Sequence, residues 1–200
     1  WDIYTHSFMM LAIFWLYKLY NSTKNWYLYA LVSGLFIGCS ILSKGPVSLY
    51  ALFLPFLIAY GIIYKFDGTK ARWKTLVLLT LVALISGGWW NLYVYLFDTR
   101  AVAEITSQET GRWLNYNVRP FYYYWSFFIQ SGLWTIPSFV ALLYPYLKDK
   151  VSNKKAYKFT LFWTLASVFL LSVIPEKKSR YLLPVLIPMA MNTAFYIEFL

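Results

Sequence analysis

The 200-residue sequence holds one cysteine, one histidine and few charges. Cys39 sits in an apolar run with no second cysteine, which excludes an intramolecular disulfide and a cysteine-built metal site. His6 is equally alone, which argues against a histidine metal set or a catalytic triad. Charged residues make up 13% of the chain, about half the share usual in soluble domains. No long run alternates in polarity every second residue, as the strands of a membrane barrel do. The chain opens on Trp1-Asp2, without methionine or signal peptide, and closes inside an apolar run at Phe199-Leu200. It is expected to be an internal piece of a longer protein.

What is present is apolar. The chain is 60% hydrophobic and 22% aromatic, with a mean hydropathy of +0.52. This predicts an all-α polytopic membrane protein, one transmembrane domain over residues 1–200. Residues 27–63 would reach about 55 Å as a single helix, against a hydrocarbon core of about 30 Å. They are expected to form two spans that turn at Lys44-Gly45-Pro46. The seven expected spans are 4–19, 26–43, 47–64, 75–97, 121–147, 159–174 and 181 onward. Gly87-Gly88 marks a kink or a close-packing point in the fourth.

The formal charge is +10. The cations fall in short clusters between apolar runs, a pattern explained by the positive-inside rule and anionic lipid and not by nucleic acid. Alternate loops form two sets. Lys18, Lys24, residues 65–74 and residues 148–158 hold eleven cations and two acids. The N-terminal edge, Lys44, residues 98–120 and residues 175–180 hold seven cations and five acids. The first set is placed in the cytoplasm and the second outside. Cations mixed with carboxylates on the outer side suggest a site for an anionic ligand.

Three stretches carry that suggestion. Lys44 ends one span at the level where Asp2 opens another, as a structural ion pair or as part of a site; the bland alternative is a lysine that snorkels to the interface. The turn from Pro175 to Pro184 gathers Lys177, Lys178, Ser179, Arg180 and Tyr181, groups suited to phosphate oxygens. Within it, Glu176 and Arg180 are spaced to pair on one helical turn. The loop 98–120 places Glu109, Arg112, Val102, Ile105 and Trp113 as on a juxtamembrane helix lying on the interface. Tyr122-Tyr123-Tyr124-Trp125 reads as an aromatic belt, or as part of a groove for a polyprenyl or acyl chain.

The order of these motifs resembles the aminoarabinose transferase (ArnT-like) branch of the protein mannosyltransferase superfamily. The shared features are Asp2, Leu42-Ser43-Lys44-Gly45-Pro46, Gly88-Trp89-Trp90, an arginine-bearing loop into Pro120-Phe121-Tyr122-Tyr123-Tyr124, and Lys178-Ser179-Arg180-Tyr181-Leu182-Leu183-Pro184. The resemblance implies a GT-C fold and an inverting glycosyltransferase of the bacterial cytoplasmic membrane, acting on its periplasmic side. The implied partners are membrane lipids, a polyprenyl-phosphate sugar donor and a lipid A-like, glycan or protein acceptor. Asp2 and Lys44 resemble residues lining the cavity; Lys178, Arg180 and Tyr181 resemble the turn that holds the carrier phosphate. In the implied reaction a carboxylate takes the acceptor proton while cations stabilise the leaving polyprenyl phosphate.

Two departures stand out. The family's principal catalytic acid belongs to a first outer loop upstream of this chain, so no catalytic residue is assigned here. Asn117 stands where some members carry a histidine that helps bind a divalent metal, so no cofactor is expected. The rival readings are a transporter or flippase of an anionic polyprenyl lipid, and a non-catalytic membrane subunit. A transporter predicts an internal repeat and broken helices; the sequence shows no clear repeat.

Overall fold

The computed structural model describes residues 2–115 and 117–200. The side chains of Lys70, Ala101 and residues 112–115 lie outside the described set, and with them the expected roles of Arg112 and Trp113. The described residues form nine α-helices and no strand. The helices are α1 Asp2–Asn21, α2 Trp26–Lys44, α3 Leu54–Tyr64, α4 Trp73–Phe97 and α5 Thr99–Asn115, then α6 Thr135–Leu142, α7 Tyr144–Leu147, α8 Lys154–Val173 and α9 Leu183–Phe199. Four helical segments are long and apolar enough to cross a membrane: Trp26–Lys44, Trp73–Phe97, Lys154–Val173 and Ser179–Phe199. Large apolar side chains such as Leu84, Ile85, Leu92 and Leu96 of α4 stand exposed, as a lipid-facing surface requires. The protein is thus a helical membrane protein.

The chain divides into two compact units. The first comprises residues 1–53 and 66–110, the second 54–65 and 111–200. In the first unit α2 packs between α1 and α4. Along the antiparallel α1–α2 seam, Ser33 Oγ donates to the Ala12 carbonyl at 2.8 Å and Ser40 Oγ to the Thr5 carbonyl at 2.9 Å. Both helices gain hydrogen bonds where lipid offers none. Small residues bring α2 against α4. A Cβ on Gly34 would lie 2.7 Å from the Leu79 carbonyl oxygen, and one on Gly87 would lie 3.2 Å from Gly38 Cα. Gly87 therefore serves close packing; α4 runs through it as one helix. The Gly34-x-x-x-Gly38 spacing is the sequence signal for this contact.

In the second unit α3 packs on α8 through rings. Phe56 meets Phe159 at 5.7 Å and Trp163 at 5.2 Å, edge to face. A π-helical turn at Leu49–Phe53 precedes α3. Pro55 has no N–H with which to prolong that ladder.

Residues 121–147 depart from the single span expected of them. They form 3-10 turns at Phe121–Tyr124 and Phe127–Trp134, then α6 and α7. Gly132 at φ 60° and ψ −119° breaks the path. Pro145 separates α6 from α7 by removing the N–H that would reach the Ala141 carbonyl. That carbonyl instead accepts Tyr157 Oη and Asn192 Nδ2, each at 2.8 Å, from α8 and α9. One proline thereby creates the acceptor that ties three helices together.

Two tests follow from these contacts. Gly34→Ala should cost about 1–3 kcal/mol through the clash with the Leu79 backbone, whereas Gly88→Ala, with open space around it, should be neutral or stabilising; melting temperatures in detergent compare them. Tyr157→Phe and Asn192→Leu should each cost about 1 kcal/mol, and the double variant more than their sum, because only it strips the Ala141 carbonyl of both donors.

Candidate functional site

The two candidate regions belong to different units and are built in different ways. In the first unit the Lys44-Gly45-Pro46 turn forms as the sequence predicts. Gly45 takes φ 72° and its N–H closes α2 on the Ile41 carbonyl at 2.7 Å. Asp2 lies in the first turn of α1 and Lys44 in the last turn of α2. Each charge thus sits at the helix end whose dipole favours it. The Lys44 ammonium donates to the Asp2 carboxylate. Their side chains are 31% and 26% exposed, so water screens the pair and its net worth is modest.

Below this pair the column stays polar. His6, one turn after Asp2 on α1, places Nδ1 2.7 Å from Ser48 Oγ, and both residues are buried. Ser48 looks like any other serine in an apolar run, so nothing in its own surroundings announces this contact. The (i, i+4) spacing of Asp2 and His6 was the available hint that both share one face of α1.

In the second unit the turn before α9 is shaped by a short two-stranded contact. Val118 and Glu176 form an antiparallel bridge. Arg119 N–H donates to the Pro175 carbonyl at 3.3 Å and Lys177 N–H to the Asn117 carbonyl at 3.1 Å. Glu176 is therefore extended, not helical, and the expected Glu176–Arg180 helical turn does not form. Its carboxylate accepts the Lys178 ammonium on one oxygen and Tyr181 Oη, at 3.3 Å, on the other.

Tyr124 completes the frame. Its hydroxyl accepts from Lys178 N–H at 2.8 Å and donates to the Lys178 carbonyl at 3.0 Å. Tyr124 is 1% exposed while Tyr122 is 67% exposed. So the aromatic belt reading suits Tyr122 and not its neighbour two residues on. No feature of the Tyr-Tyr-Tyr run singles out the third ring; only the fold does.

The cations of this turn have distinct surroundings. Lys177 is 3% exposed, its Nζ donates to the Ile174 carbonyl at 2.6 Å, and burial pushes its pKa down. Lys178 is pushed up, chiefly by its hydrogen bond to Glu176. Lys178 Nζ lies 5.7 Å and Arg180 Cζ 5.8 Å from the centre of the Tyr181 ring. Arg180 and Ser179 are exposed. Arg119 lies 6.0 Å from the Tyr123 ring, and Tyr123 Oη lies 3.5 Å from Ser179 Oγ. The fold thus brings Lys178, Arg180 and Tyr181 together as the sequence predicts, and adds Arg119, Tyr123, Tyr124 and Glu176. Such a surface suits an anion with several oxygens. Asn117 supplies its backbone carbonyl to this turn, and no group of three His, Cys, Asp or Glu gathers among the described residues.

No family model matches the chain, and no solved structure matches it. The chain is 25% identical over 202 residues to a protein of Aquifex aeolicus (strain VF5) described as an uncharacterized protein. The match takes in 96% of this chain and 37% of that protein, so the chain spans little more than a third of that relative's length.

The Lys178–Glu176 pair makes a pH prediction. A lysine held above its ordinary 10.5 adds stability that is full below that value. The contribution fades as pH rises through the elevated one. The stability gap between wild type and Glu176→Gln should therefore stay constant through neutral pH and narrow only in strongly alkaline buffer. Melting temperatures taken across a pH series would show it; a gap that closes near neutrality would contradict the assignment.

Proposed function

We propose that the protein is an integral membrane glycosyltransferase of the GT-C type, which moves a sugar from a polyprenyl-phosphate donor. Its acceptor is a lipid A-like molecule, a glycan or a protein on the periplasmic face of the bacterial cytoplasmic membrane. The observation that carries this reading is the Lys178–Tyr181 turn. Lys178 and Arg180 are presented on a frame in which Glu176 engages both the Lys178 ammonium and the Tyr181 hydroxyl while Tyr124 brackets the Lys178 backbone. Preorganised cations of this kind stabilise a leaving phosphate because they need no reorganisation when its charge develops. Asp2 and Lys44, in the first unit, are assigned to substrate binding. The base that takes the acceptor proton is assigned to the longer protein, outside this chain, and the reaction is a single displacement at the sugar carbon without a cofactor.

A second reading, a transporter of an anionic polyprenyl lipid, is favoured by the broken path of residues 121–147, since discontinuous helices are common in transporters. The same variants separate the two. In the full-length protein, Arg180→Ala and Lys44→Ala should each lower transfer from a polyprenyl-phosphate sugar by about 100-fold or more while membrane insertion is unchanged. Wild-type transfer by both variants would sink the site assignment. Lipid translocation without any sugar transfer would favour the transporter.

A further inference from the structure

At the end of the second unit where α8 begins and α9 finishes, the polar surface is dominated by lysine. Lys65 closes α3, Lys148 and Lys150 follow α7, and Lys154, Lys155 and Lys158 lie in the first turns of α8. The three helix ends meet here: Tyr64 packs on Phe159 at 5.6 Å and Tyr157 on Phe195 at 5.9 Å. Nearby acids are few. Asp149 pairs with Lys154 at 2.9 Å, and Glu198 accepts Ser152 Oγ at 2.8 Å.

Three of these lysines are laid on rings. Lys150 Nζ lies 3.6 Å from the Tyr146 centroid and 4.7 Å from that of Phe199. Lys155 lies 4.6 Å from Tyr64 and Lys158 5.5 Å from Tyr144. A ring face attracts an ammonium from one side only. The ammonium has three N–H donors, so those turned away from the ring remain able to meet phosphate oxygens. The rings also restrict long, mobile stems, which lowers the ordering cost of binding. These contacts lie where an apolar helix bundle ends in a lysine-rich loop, the depth at which lipid phosphates sit. A shallow notch bordered by Lys150, Ser152, Phe195, Glu198 and Phe199 adds an apolar floor beneath a cation and a carboxylate.

We infer that this end of the second unit is a binding surface for anionic phospholipid headgroups, with Lys150, Lys155 and Lys158 taking the phosphate oxygens. The commitment to lipid rests on charge complementarity and on the neighbouring apolar helix ends. The surface is separate from the Lys178–Tyr181 turn and does not depend on the proposed transfer reaction.

The test uses the full-length protein, delipidated and returned to nanodiscs of phosphatidylcholine alone or with a third of phosphatidylglycerol. The melting temperature should rise with phosphatidylglycerol, and native mass spectrometry should find phosphatidylglycerol retained over phosphatidylcholine. Lys150→Gln/Lys155→Gln/Lys158→Gln should lower that preference on the order of a hundredfold. Arg100→Gln, which removes an exposed cation elsewhere, should leave it intact. Equal retention of the two lipids by the wild type would overturn the inference. So would an equal loss in Arg100→Gln, which would reduce the effect to overall charge. An equal rise in melting temperature with inorganic phosphate in phosphatidylcholine discs would also overturn it, as the surface would then recognise phosphate and not lipid.

Discussion

Every backbone polar group inside an apolar segment has to find its partner within the protein, because lipid supplies none. The second unit answers this requirement at a point where the helix cannot. Pro145 denies the Ala141 carbonyl its usual donor, and Tyr157 and Asn192 replace it from two other helices. The replacement is what fixes α6 against α8 and α9. In the first unit serine hydroxyls on α2 reach carbonyls of α1, adding polar contacts to a seam that also stacks Phe8 on Phe36. Helix association in both units thus rests on a few placed donors and on close approach, not on apolar area alone.

The same requirement shapes the two charged regions. Asp2 and Lys44 sit at helix ends, each partly exposed, and the electrostatic gain of the pair is small. Glu176 is almost wholly buried, and its two oxygens are engaged by Lys178 and Tyr181. Removing either partner would leave a desolvated charge, so the geometry of that turn is held far more tightly than that of the Lys44 turn. The Tyr124 hydroxyl adds to this rigidity by engaging both the N–H and the carbonyl of one residue.

Much of the fold was legible in the residues. Composition indicated helices in a membrane, Lys44-Gly45-Pro46 marked a turn, and Gly87-Gly88 marked a kink or a close-packing point, of which only the close packing, at Gly87, is found. The break-up of residues 121–147 was not legible in their apolar character; Gly132 and Pro145 are its local causes. In the charged turn, the cluster Lys178–Arg180–Tyr181 was visible as sequence neighbours. Tyr124 and Val118, which shape it, come from more than fifty residues away, and no local pattern announces such a pairing. Charge spacing also misled: Glu176 and Arg180 fit a helical turn, but the bridge to Val118 holds Glu176 extended.

The order of the helices along the chain has a consequence for synthesis. α3 lies in sequence between α2 and α4, which pack together, yet its own ring contacts are with α8. The chain must add the ninety residues from Lys65 to Lys154 before the first turn of α8 exists. At ribosomal rates that is a wait of roughly 5–20 s, during which Phe56 and Tyr60 have no mate from α8. α3 is thus a segment whose nascent form needs shelter, from the insertion machinery or from lipid, until α8 has been made.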